Sequence, residues 1–191
     1  MKKDVSSPEA IENERQILTL AAKDRTAFKP IYEKYFGTIF QFVYKRVGDK
    51  DDSGDITQQV FLKALMQLDK FQFRGVPFSA WLYQIALNEC HDYFRKTRKH
   101  RQVVVDDAQV EGLFEEIEAE ERTTDWLGRL QEILQTLSPP ELELVELRYF
   151  ESMPFRDIAA IYGITENHAK VRMYRVLEKL EKSLLAHEAQ D

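Results

Sequence analysis

A single cysteine, Cys90, leaves no partner for an internal disulfide. That excludes a disulfide-stapled secreted scaffold and suits a reducing compartment. No apolar run approaches the roughly 18 to 20 residues that a membrane-spanning helix needs, so no membrane insertion is expected. The opening stretch MKKDVSSPEAIENE carries two lysines without an apolar segment behind them, so it is not read as a secretory signal and the chain is expected in the cytoplasm. Glycine is scarce, 7 residues in 191, and none of it forms a phosphate-cradling loop. The histidines His91, His100, His168 and His187 have no metal-ligand spacing. Cys90 and His91, adjacent on a helix, point to different faces and make no nucleophile pair. The sequence therefore offers no catalytic residue, metal site or cofactor, and the chain is read as a non-enzyme.

What is present is apolar content enough for a core: 43% hydrophobic and 12% aromatic residues in 191, sufficient for one or two domains. The net charge of −6 argues against a nucleic-acid partner until its distribution is followed. Residues 1–27 are neutral, 28–102 carry +5, 103–125 carry −8 and 126–191 carry −3. A phosphate feels the local patch within a Debye length of roughly 8–10 Å, not the total.

The stretch Phe155–Val176, FRDIAAIYGITENHAKVRMYRV, predicts two short helices around a tight turn. Phe155, Ile158, Ala159 and Tyr162 fall at helical spacing. Gly163 supplies the left-handed residue that ends the first helix, Ile164 fills the angle, and Thr165 is an N-cap for the second. Ala169, Met173 and Val176 turn inward, leaving His168, Lys170, Arg172, Tyr174 and Arg175 outside. No acidic residue occurs between Asn167 and Leu177 in a chain that is acidic elsewhere. This is the layout of a helix-turn-helix, whose second helix enters the major groove. Hairpins of this kind also serve as plain packing units with a solvated charged face.

Upstream, periodicity predicts a helix over Glu9–Lys23, then Asp24 capping a helix over Arg25–Tyr35, in which Pro30 is either tolerated in a first turn or kinks the helix. Gly37 permits a break before a further helix over Thr38–Val47, and Gly48–Asp55 reads as a polar loop. Ile56–Leu68 has its core stripe at Ile56, Val60, Ala64 and Leu68, widened by Phe61 and Leu65, with Asp55, Gln58, Gln59 and Leu62 at or beside the outer face. Phe71–Pro77 is an irregular loop. Phe78–Lys96 is the longest predicted helix, with Trp81, Leu82, Ile85, Ala86 and Tyr93 toward the core. On it Gln84, Asn88, His91 and Arg95 form one polar stripe. The stripe leads into RKTRKHR (Arg95–Arg101), five basic residues in seven, a track suited to a nucleic-acid strand. After the acidic connector, helices are predicted over Trp126–Leu137 and Glu141–Phe150, with Ser138 as N-cap and Pro139 at the first helical position. The last helix is expected to run to about Leu185.

AFKPIYEKYF, DITQQVFLKAL, FSAWLYQIALNECHDYFRK and LSPPELELVELRYFESMPFRDIAAIYGITENHAKVRMYRV, in this order and with an acidic strap between, resemble the extracytoplasmic-function sigma factors of the sigma-70 family over about residues 20–185. The resemblance implies an all-α chain of two helical domains joined by an acidic linker: 1–102 resembling sigma region 2, linker 103–125, and 126–191 resembling sigma region 4 with its helix-turn-helix. It implies docking on core RNA polymerase, at the β′ clamp helices and β flap, with Asp55, Gln58, Gln59, Phe61 and Leu62 the candidates on the clamp side. Gln59 stands where the family usually has an acidic residue. The −10-type promoter element would meet Arg74, Gln84, Asn88, His91, Arg95 and Lys96, with Gln84 replacing a common arginine and the loop shorter than usual. The −35-type element would meet His168, Lys170, Val171, Arg172, Tyr174 and Arg175. The family also implies an anti-sigma partner covering both working faces. The alternative is a stand-alone helix-turn-helix regulator with an N-terminal sensing domain, which would footprint DNA specifically without polymerase.

Overall fold

The computed structural model describes residues 8–71, 77–99, 113 and 126–188. The chain divides into two units, Met1–Arg101 and Gln102–Asp191. In the first, α1 (Pro8–Ala21), α2 (Lys29–Val47), α3 (Lys50–Met66) and α4 (Phe78–Thr97) pack around one core. In the second, α5 (Trp126–Gln135), α6 (Pro139–Val145), α7 (Phe155–Tyr162) and α8 (Glu166–Glu188) do the same. Leu113, fully buried, is the only residue of the acidic connector among the described ones.

Two boundaries differ from the sequence reading. The break at Gly37 is absent: α2 runs unbroken for 19 residues. Ile31, Tyr35, Ile39, Phe42 and Val43 are one buried stripe that stays in phase across the glycine. Burying that stripe outweighs the roughly 1 kcal/mol that a glycine costs a helix interior. Pro30 lies within the first two positions, where its missing N–H is no loss. The polar loop at Gly48–Asp55 is mostly helix, because its polar residues are the cap and first turn of α3. Gly48, at φ 76°, closes α2, and the Asp49 carboxylate accepts the Asp52 N–H at 2.9 Å. Asp51 and Asp52 then favour the positive end of the helix dipole.

The start of α4 is fixed from outside. Pro77 precedes it and offers no side-chain cap. Instead the Glu14 carboxylate of α1, 4% exposed, accepts the Phe78 N–H at 3.0 Å, the Lys34 ammonium at 2.6 Å and the Tyr35 hydroxyl at 2.5 Å. Burial, and then the carboxylate, push the Tyr35 phenol well above its ordinary value. Rings finish this core: Phe28 meets Phe61 and Phe78 edge-on, and Phe42 meets Tyr83 at 4.7 Å. On α4 the buried stripe is Phe78, Leu82, Tyr83, Ala86, Leu87 and Cys90. Trp81, Ile85 and Tyr93, expected in the core, are only half-buried. Trp81 sits at the rim against Phe71 and Phe78.

In the second unit Leu130, Ile133, Leu134, Leu142, Val145 and Leu147 form the core with the inward faces of α7 and α8. The side chains of Trp126 and Leu127 lie outside the described residues. The predicted helix to Phe150 widens in its last turn, where the Glu151 N–H donates to the Glu146 carbonyl five residues back. Ser138 opens α6 as expected: its N–H and its hydroxyl both donate to the Glu141 carboxylate at 2.7 Å. Lys179 of α8 donates to the same carboxylate at 2.9 Å, so the cap also ties two helices.

These contacts, the Ser138 hydroxyl foremost, hold the Glu141 carboxyl below the ordinary glutamate range. A depressed carboxylate stabilises the fold above its unfolded pKa of about 4.3 and loses that contribution as pH falls through the folded value. Glu141→Gln should therefore lower stability at pH 7, and the gap to wild type should close toward pH 3. Urea melts of both full-length proteins across that range measure it, and a gap that ignores pH contradicts the assignment.

Candidate nucleic-acid interface

Three surfaces follow from these helices. The first is α8. Gly163, at φ 63°, ends α7, and the Ile164 N–H returns to the Ala159 carbonyl at 3.0 Å. Thr165 Oγ1 then accepts the His168 N–H at 3.2 Å, the cap the sequence predicts. Ala169, Met173, Val176, Leu177 and Leu180 are buried, which turns the opposite side of α8 to solvent. His168, Val171, Arg172, Tyr174 and Arg175 are all exposed on it. Lys170 is half-buried at the flank, paired to Glu166 at 2.7 Å and 6.0 Å from the centre of the Phe155 ring. At the other flank Arg172 Nε donates to His168 Nε2 at 3.3 Å. Asn167, exposed in the first turn of the same face, was not singled out from sequence. Its placement beside Val171 and Arg175 appears only once the buried side of α8 is known.

The second surface is the outer side of α4. Asn88, His91 and Arg95 are exposed and Gln84 is half-buried, so the predicted stripe exists as one face. Arg95 pairs with Asp92 at 2.8 Å, and Lys96 is exposed. An exposed pair of this kind is worth about 0–1 kcal/mol, so a phosphate can displace the carboxylate. Beyond the helix, Arg98 turns the chain at φ 55°. Lys99 is not a loose cation: it donates to the Asp52 carboxylate at 3.2 Å and to the Tyr93 hydroxyl at 2.8 Å. Tyr93 in turn donates to Asp52 at 2.6 Å. These bonds, Tyr93 first, hold the Asp52 carboxyl below its ordinary value and the Lys99 ammonium above its own. Among the described residues the exposed basic track at this end is thus Arg95, ion-paired to Asp92, with Lys96 and Arg98. Arg74 lies outside the described residues, as do His100 and Arg101.

The third surface is the outer side of α3. Asp55, Gln58 and Gln59 are exposed, and Leu62 keeps 49% of its area in solvent. Phe61 agrees with its place on the core stripe and corrects its place among the docking candidates that the resemblance implies: it is 4% exposed and its ring meets Tyr32 at 4.9 Å and Phe36 at 6.1 Å, so its side chain belongs to the core. Its position next to Val60 on the inward arc of α3 decides this. Met66, missed from sequence, is 59% exposed one turn beyond Leu62 on the same face. The i, i+4 spacing from Leu62 was the available signal. Lys63 and Glu89 form an ion pair that ties α3 to α4.

Among the described residues no helix is long and apolar enough to cross a membrane. The description Sigma-70 region 2 matches residues 31–100, and Sigma-70, region 4 matches residues 127–180. The first match occupies the segment that a stand-alone regulator would give to a sensor, so that alternative is not favoured. The sigma factor SigV of Bacillus subtilis is 30% identical over 145 residues, 76% of this chain and 83% of that protein. SigW of the same organism is 28% identical over 179 residues, 89% of this chain and 95% of SigW. BldN of Streptomyces coelicolor is 30% identical over 167 residues, 85% of this chain, which spans 62% of the length of BldN. The fold is shared with CnrH, solved in complex with the cytosolic domain of CnrY, at a TM-score of 0.60 and 24% identity over 91% of this chain and 97% of CnrH. It is shared too with RpoE of Bartonella quintana, solved with the anti-sigma factor NepR, at a TM-score of 0.56 and 23% identity over 82% and 96%. Two helical units in this order, each matching its own sigma region, leave one conclusion: the chain belongs to the sigma-70 family of RNA polymerase sigma factors, in its extracytoplasmic-function branch.

Proposed function

We propose that this chain binds core RNA polymerase in the cytoplasm and directs it to a two-part promoter, with each unit gripping one part. The observation that carries the reading is the clean division of α8: an apolar side sealed in the core and an exposed side with His168, Arg172 and Arg175 and no acidic residue from Asn167 to Leu177. That face, with Asn167, Lys170, Val171 and Tyr174, reads the upstream duplex in the major groove. Asn88, His91, Arg95 and Lys96, with Gln84 at the edge and Arg74 from the sequence between α3 and α4, hold the separated strand of the downstream element. Asp55, Gln58, Gln59, Leu62 and Met66 dock on the polymerase clamp.

The energetics fit that division. Holding one unstacked base is worth about 1–3 kcal/mol, enough to offset local unpairing of a weak A·T step but not to open a promoter. Polymerase supplies the remainder, so the chain acts as a factor and not as an enzyme. An anti-sigma partner, of the kind solved with RpoE of Bartonella quintana, would silence it by covering these same faces.

The test is purified core polymerase with the full-length protein on genomic fragments: specific transcripts should appear that neither component makes alone. Failure to bind core polymerase at micromolar concentration contradicts the reading. Within it, Arg175→Ala should weaken upstream-duplex binding by the value of one base or phosphate contact, about 5- to 150-fold, while core binding stays unchanged. Loss of core binding in that variant would place Arg175 on the wrong surface.

A further inference from the structure

We infer that Val171 reads a thymine in the upstream element, through the C5-methyl group that this base alone displays in the major groove. The inference rests on the duplex-reading role proposed for α8. A helix advances about 100° per residue. Ala169, Met173, Val176, Leu177 and Leu180 define the buried side of α8, and the position directly opposite their centre is Val171. It is therefore at the crest of the exposed face, the point that goes deepest when such a helix enters a groove. Asn167, Tyr174 and Arg175 stand on either side of it, and the pairs Lys170–Glu166 and Arg172–His168 lie further down the flanks.

The crest is thus held by an isopropyl group, 38% exposed, on a face otherwise made of hydrogen-bonding side chains. Val171 has no donor and no acceptor. Set against the N7, O6, N4 or N6 of the other bases, it strips water from a polar edge and returns nothing. Set against a thymine, it buries one methyl group against another. Its branched side chain has one strongly preferred rotamer in a helix, so little freedom is lost in making the contact. Tyr174, more exposed at 65%, is no competitor for this role, since its hydroxyl gives it phosphate and polar partners as well.

The experiment uses core polymerase loaded with the full-length protein. The complex selects from two random duplex libraries, one synthesised with thymine and the other with uracil throughout. In the thymine library one upstream position should favour T, and in the uracil library that preference should fade. Replacing that single thymine by uracil in the selected duplex should weaken binding about fourfold, the value of one buried methyl group. Val171→Ser, a change at an exposed position that leaves the fold intact, should bind the thymine and uracil duplexes equally. Equal binding by the wild-type protein overturns the inference, and so does a uracil penalty that persists unchanged in Val171→Ser. Selection of no upstream sequence from either library sinks the duplex-reading role itself, an outcome distinct from selection without methyl preference.

Discussion

Replacing Glu14 with alanine is expected to destabilise the first unit by about 2–4 kcal/mol, the cost of leaving two buried donors, the Phe78 N–H and the Tyr35 hydroxyl, without their acceptor. Lys34 adds less, because its side chain is 36% exposed and can turn to water. Glu14→Gln keeps an acceptor and should recover part of the loss. Under the strand-holding role proposed for α4, the effect reaches function: the carboxylate caps the helix that carries Asn88, His91 and Arg95, so its removal frays the end from which that stripe is positioned. Urea denaturation of the full-length variants gives the free energies, and amide exchange at the first turn of α4 gives the location. A Glu14→Ala protein within about 0.5 kcal/mol of wild type would show that the buried node is not a stabilising one.

The second large effect separates docking from folding on a single helix. Leu62→Ala removes a side chain that is half in solvent, and should change stability by no more than about 0.5 kcal/mol. An exposed leucine central to a protein interface can be worth 1.4 kcal/mol or more, so core polymerase should bind at least about tenfold more weakly. Upstream-duplex binding should be untouched. Phe61→Ala, one residue earlier, is the internal control: its ring fills the core, and truncation should cost about 3–5 kcal/mol of stability. Competition for core polymerase at fixed concentration, alongside melts of both variants, reads the two quantities. Equal polymerase binding by wild type and Leu62→Ala would remove α3 from the docking role.

How far the residues alone carried the reading differs from element to element. The turn of the helix-turn-helix was legible because it is local: Gly163 and Thr165 act on neighbours within a few residues, and the structure shows both acting as expected. Ser138 and Glu141 are legible for the same reason. Gly37 reads as a break because a glycine's local cost says nothing of the continuous buried stripe that crosses it. The polar run before Ile56 misled because charged residues serve equally in a loop and in the first turn of a capped helix. Phe61 carries two expectations, a place on the core stripe from its spacing and a place among the docking candidates from the family resemblance, and its burial agrees with the spacing.

Sequence by itself determined the helical character, the inward faces of α3 and α8, the capped turn, and the uneven spread of charge between the two units. Each of these depends on residues a few positions apart, where spacing fixes which side chains share a face. Tertiary structure decided what is long-range: that Glu14 caps a helix 64 residues away, and that Lys99 is engaged by Asp52 and Tyr93. The reason is that a hydrogen bond or a buried ring stabilises only against the partner that folding brings to it, and nothing in the spacing of residues along the chain specifies that partner.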